Sequence, residues 1–164
     1  MDPDERSVTR QIGRSPRQPW RVSVRCAHGF PQVITTPSRL ASGEPFPTLH
    51  YLTCPDLVEA VSALESDGQI EAWAHLLATV PEYATSMRLA DAAYRAARTI
   101  ESGGTDACEG VGIAGQRDPL GTKCLHAHVA AALAGINDPI GLTVLDIIGS
   151  ECDNARCAEG DPDL

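Results

Sequence analysis

The chain has 164 residues, 43% of them hydrophobic and 21% charged, which is enough for one soluble domain with a substantial core. Its formal net charge of −9 argues against general affinity for nucleic-acid phosphates, which call for clustered Lys and Arg. No apolar run reaches the roughly 18 residues of a membrane span, and the N-terminal segment lacks the apolar stretch of a secretory signal.

The charge is uneven. Residues 1–25 carry six Arg against three acids, and residues 150–164 carry five acids against one Arg. Residues 1–19 combine charge, Ser, Gln and Pro with little apolar content and are expected to be a disordered tail. Arg21-Val22-Ser23-Val24-Arg25-Cys26 alternates polar and apolar residues, which predicts a strand with one buried face. Gln32–Thr36 is β-branched and reads as a second strand. After a proline-rich loop, Thr48–Thr53 predicts a third, ending at Cys54.

From Cys54 the pattern turns helical. Pro55 suits a first helical position, and Leu57, Val61 and Leu64 recur along one face up to Gly68. Ile70, Trp73 and Leu77 carry the helical period to Val80, with His75 inside it as a structural residue. Pro81 opens a longer helix with Tyr83, Met87, Ala90, Tyr94 and Ala97 on one side, closing near Gly103-Gly104. Residues 105–121 are irregular and glycine-rich. Thr122 is the expected N-cap of a helix running to Gly135. Ile140, Val144 and Ile148 mark a last short helix. Residues 150–164 read as an acidic, flexible tail. The expected architecture is α+β: one domain over residues 20–149, with a small antiparallel sheet on the N-terminal side packed on about five helices.

The candidate chemistry lies in thiols and imidazoles. Six cysteines in a chain expected to stay in the cytoplasm are more naturally thiols or metal ligands than a disulfide framework. Cys26 ends a predicted strand, Cys54 sits where strand hands over to helix, and Cys124 falls in the first turn of another helix. Helix N-termini stabilise negative charge, so Cys54 and Cys124 are expected to titrate below a free thiol. With Cys124 in the helix, His128 lies one turn on along the same face and His126 points elsewhere. This gives a candidate Cys3His site of Cys26, Cys54, Cys124 and His128, suited to zinc or to an iron–sulfur cluster. The fourth position is open to His126, His50 or His28, or to no protein ligand. His50 on its own reads as a solvent-facing sheet residue, and the whole set also reads as buried apolar thiols with ordinary hydrogen-bonded histidines.

The loop from Val111 to Gly121 enters directly at Cys124. It matches neither a phosphate-binding Walker loop nor a dinucleotide fingerprint. Arg117, Asp118 and Lys123 are candidates to surround the metal or to hold an anion at the helix N-terminus.

Arg25-Cys26 with Gly29, Pro31 and Val33, the segments Pro45–Leu49 and Leu52–Pro55, Gly112 to Gly115, and above all Lys123-Cys124-Leu125-His126-Ala127-His128 resemble a bacterial, mainly actinobacterial, domain-of-unknown-function family numbered 501. The resemblance covers about residues 20–142. It implies that Cys26, Cys54 and Cys124 belong to the family's pattern while Cys108, Cys152 and Cys157 lie outside its motifs, and it brings no activity with it. The readings that follow are a closed metal site joining sheet to helices, a metal-dependent enzyme acting on a small anionic substrate held by Arg117 and Lys123, or a metal-free module docking on another cytoplasmic protein. A thiol redox enzyme is a fourth reading, which requires two cysteines close enough to pair.

Overall fold

The three segments read as strands form the sheet. A computed structural model describes residues 1–153 and 155–159. Strands β1 (Arg21–Arg25), β2 (Pro31–Thr35) and β3 (His50–Leu52) are antiparallel in the order β1-β2-β3. Val33 lies opposite Leu52 and Thr35 opposite His50, so by the alternation of a strand these four share one face. Val33 and Leu52 belong to the main core, which places that face against the helices. Ile34 and Tyr51, paired on the other face, line a small cleft with Ile12.

Ile12 belongs to the first departure from expectation. Residues Pro3–Ile12 form a helix, α1, where a disordered tail was expected. The local chemistry explains it: Asp2 caps the N-terminus, Pro3 occupies the first turn, and Gly13 closes the end in the left-handed region at φ 73°. Val8 is fully buried, Gln11 donates to the Pro31 carbonyl at 2.7 Å, and Asp4 pairs with Arg25. One buried apolar anchor and good caps outweigh a polar composition.

The remaining helices are α2 (Pro55–Ser66), α3 (Gln69–Thr79), α4 (Pro81–Glu101), α5 (Leu125–Leu133) and α6 (Pro139–Ile148). The α+β arrangement is therefore the expected one, with a sixth helix added at the N-terminal side. The centre is α5, in which Leu125, Val129, Ala130 and Ala131 are completely buried against β3, α2 and α6. Its alanines permit close approach. At Gly141 of α6 an added Cβ would sit 2.1 Å from the His128 carbonyl oxygen, so only glycine fits. Asp138 caps α6 by accepting from the Ile140 and Gly141 amides. Its other carboxylate oxygen takes the His128 Nδ1–H at 2.5 Å, tying α5 to α6.

The described part of the acidic C-terminal segment also departs from a flexible tail. Cys152 is buried in the main core, Gln32 donates to the Ser150 carbonyl at 2.6 Å, and Arg156 pairs with Asp56 and Glu59 of α2. Residues 154 and 160–164 of that expected tail lie outside the described residues. No described helix is long and apolar enough to cross a membrane.

Candidate metal centre

The site forms where the N-terminus of α5 meets the last turns of α2. Cys124 is the N-cap residue itself, with extended backbone (φ −152°, ψ 113°), and the helix begins at Leu125 rather than after Thr122. That small shift reorganises the site. From an extended N-cap the thiol faces the ring two residues on, and the Cys124 Sγ lies 3.8 Å from His126 Nδ1. His128, expected to share a face with Cys124, is instead fully buried with Nδ1 bound to Asp138. Its Nε2 is buried with no hydrogen-bond partner among the described residues.

Residues 58, 62 and 65 follow one face of α2 and supply the rest. The Ser62 hydroxyl donates to the Val58 carbonyl at 2.8 Å, so its oxygen is free to accept. Both that oxygen and the Val58 carbonyl lie 3.1 Å from His126 Nε2. Two acceptors around Nε2 assign it a proton and leave Nδ1 turned to the other side. There it meets Cys124 and, at 3.1 Å, Glu65 Oε1. The Leu125 amide donates to the same Glu65 oxygen at 2.8 Å, fixing the carboxylate at the helix N-terminus. Glu65, Cys124 and His126 each offer one ligand atom, all within 4.8 Å of one another, and they are the one such group of three among the described residues.

Cys26 and Cys54 therefore do not join Cys124 and His128 in the expected set. Both are buried apolar thiols. Cys54 also caps a helix, α2, yet burial pushes its thiol up to about 11, with the neighbouring Cys152 and Cys157 adding to the rise. The helix terminus alone does not override burial. At Cys124 burial likewise acts to raise the thiol, but the His126 hydrogen bond and the Ala127 amide reverse it, and the thiol falls below its ordinary value. His126 is pushed up to about 9, first by its hydrogen bond to the Cys124 sulfur, against the cost of burial. The sequence pattern pointed to Cys124 and named His126 as an alternative ligand. It did not point to Glu65 or Ser62, whose only signal is their placement with Val58 on one side of α2.

Cys124 and His126 open onto a cavity of about 470 Å³ whose wall includes Pro47, His50, Leu52, Val58, Ala114 and Ala127. His50 is buried in this wall rather than facing solvent. Its Nδ1 lies 2.8 Å from the Thr35 hydroxyl, and burial, helped by Arg21, pushes it down to about 4. Ala114 holds a left-handed conformation (φ 58°) in a short 3₁₀ turn, an uncommon state for a residue with a Cβ. Arg117, Asp118 and Lys123 are exposed and none lines the cavity. Asp118 instead accepts the Leu120 amide in a local turn.

The sequence profile of the family described as "Protein of unknown function (DUF501)" matches residues 22–146. The chain belongs to the DUF501 family. That span includes all of the sheet but Arg21, together with Glu65, Cys124, His126 and the cavity wall. No curated protein and no solved structure is significantly similar to this DUF501 chain.

Proposed function

We propose that this DUF501 protein is a metal-dependent enzyme whose ion is held by Cys124 Sγ, His126 Nδ1 and a Glu65 carboxylate oxygen, with a further coordination position open to the cavity. The observation that carries the reading is the orientation of His126. Its Nε2 is held by Ser62 and the Val58 carbonyl, the arrangement in which metal-binding histidines are normally fixed by a backbone acceptor behind the ring. Its Nδ1 then points at a thiol and a carboxylate. In the metal-free chain a proton held by the ring lies among these three groups, and a metal ion bound there would take its place.

The donor set suits zinc, which accepts sulfur, nitrogen and oxygen together, whereas an iron–sulfur cluster draws on several thiolates and only one is present here. Three protein ligands beside a cavity also favour an open, catalytic type of site over a closed one that only joins sheet to helices. Bound there, the ion would polarise a substrate oxygen or activate water. The chain's own residues orient the ring, hold the carboxylate and present the apolar wall.

The test is metal content after purification without chelators, followed by cobalt(II) exchange. Equimolar metal is expected, with a sulfur-to-cobalt charge-transfer band that disappears in Cys124→Ser. Glu65→Gln and His126→Ala are each expected to weaken binding by at least about tenfold, given that even residues behind the ligands cost 10–100-fold. A chain that takes up no zinc or cobalt, or binds it unchanged in all three variants, refutes the proposal.

A further inference from the structure

We propose that the cavity takes an uncharged molecule with a mostly apolar body and a single polar head, seated between the metal position and the His50 imidazole. The metal end of this inference rests on the function proposed above; the preference for an uncharged ligand rests on the wall alone.

Among the described residues, those lining the cavity include no Lys, Arg, Asp or Glu. Its volume of about 470 Å³ lies within the usual range for a small-molecule site. An ion entering such a space loses its hydration and gains no unmatched countercharge, since the His126 ring already faces Cys124 and Glu65, a cost of several kcal/mol even with partial compensation. The two cations that would neutralise an anion, Arg117 and Lys123, are exposed and outside the wall. The metal would not supply the missing charge, because a thiolate and a carboxylate together cancel a divalent ion.

Away from Cys124 and His126 the wall carries three polar side chains, those of Thr48, His50 and Tyr51, and among them His50 is buried and held in place by its neighbours. His50 is set by the Thr35 hydroxyl on Nδ1 and by an edge-on contact with the Tyr94 ring at 5.8 Å. The Tyr94 hydroxyl in turn accepts the Leu49 and His50 amides, which anchors the strand that carries the imidazole. Nε2 is thus left for a ligand, and the depressed affinity of the ring for a proton keeps it a neutral hydrogen-bonding partner near neutral pH. Leu52, Val58, Ala114 and Ala127 offer the ligand only methyl and methylene surface.

The experiment titrates hexanamide, hexanoate and inorganic phosphate into the full chain, read by backbone amide chemical shifts and, where cobalt(II) is bound, by its absorption. Hexanamide is expected to bind about tenfold or more tighter than hexanoate, with no saturable shift from phosphate. Ala127→Phe fills the cavity and is expected to abolish amide binding while the cobalt band persists, which also shows that the variant folds. His50→Phe is expected to weaken the amide about fivefold through the lost hydrogen bond. Hexanoate or phosphate binding tighter than the amide, no binding of the amide, or unchanged amide affinity in Ala127→Phe overturns the inference. Failure of the metal reading looks different: cobalt does not bind, yet the metal-free protein still prefers amide to carboxylate.

Discussion

Replacing Arg98 with Met tests how the cavity wall is held. Arg98 is completely buried on α4, with Nε 2.8 Å from Asp106 Oδ2. Its other guanidinium nitrogens donate to the carbonyls of Pro47, Cys108 and Val111. Asp106 is itself only 5% exposed, and its second oxygen accepts the Cys108 amide. Methionine keeps much of the volume but leaves a buried carboxylate without a countercharge, a change that costs about 3–5 kcal/mol. Losing the donors to three carbonyls adds about 1 kcal/mol or more after the loop relaxes. The expected total of about 4–6 kcal/mol is a large share of a typical domain's 5–15 kcal/mol.

Arg98→Met/Asp106→Asn supplies the control. With the uncompensated charge gone, the double variant is expected to be about 2 kcal/mol more stable than the sum of the single effects predicts. Urea unfolding followed by the fluorescence of Trp20 and Trp73 measures all four proteins. Because Pro47 lines the cavity and Val111 leads into Ala114, amide exchange across residues 107–116 should also accelerate in Arg98→Met under conditions where it stays folded. A cost below about 1 kcal/mol for Arg98→Met, or strict additivity in the double variant, refutes the reasoning.

Two further outcomes follow from the titrating groups. His50 binds its proton at about 4 in the fold, against about 6.5 in an unfolded chain, so the unfolded form gains protons first as pH falls. Stability attributable to His50 is present above pH 6.5 and is lost between about 6.5 and 4, by up to about 3 kcal/mol. Urea midpoints of the chain and of His50→Asn should therefore diverge across that window, and parallel curves would rule out a buried neutral imidazole. In metal-free protein near neutral pH, Cys124 is expected to react fastest with iodoacetamide and Cys54 slowest, as read by peptide mass spectrometry. His126→Ala should slow Cys124 about tenfold, added zinc should protect it, and equal rates at the two cysteines would contradict the electrostatics.

The sheet and the five later helices were legible because each announces itself locally. Alternation at 21–25, β-branched residues at 32–36, prolines at the first turns of α2 and α4, and apolar recurrence at Leu57 and Val61 all act over a few residues. The N-terminal helix was hidden by composition, since its stability comes from caps at Asp2 and Gly13 and from one valine that meets the sheet only after folding. The C-terminal segment shows the same limit. Its polar residues read as solvent-loving, but Arg156 finds Asp56 and Glu59 a hundred residues away in sequence.

The candidate site turned on a two-residue shift of the helix start, from Thr122 to Cys124 as the cap. With Cys124 placed inside the first turn, helical spacing selects His128; with Cys124 extended at the cap, it selects His126. The same step moves His128 into the α5–α6 contact, where Asp138 and the missing side chain at Gly141 hold it. Glu65 could not be read from spacing at all, because it comes from another helix and is positioned by the Leu125 amide that the cap leaves free. The opposite behaviour of Cys54 and Cys124 follows from the same comparison. Both cap helices, and only the one with an imidazole and a cavity beside it is lowered. A helix terminus supplies part of a charge, but in a buried setting it is the neighbouring ring that decides whether a thiol becomes a ligand or stays in the core.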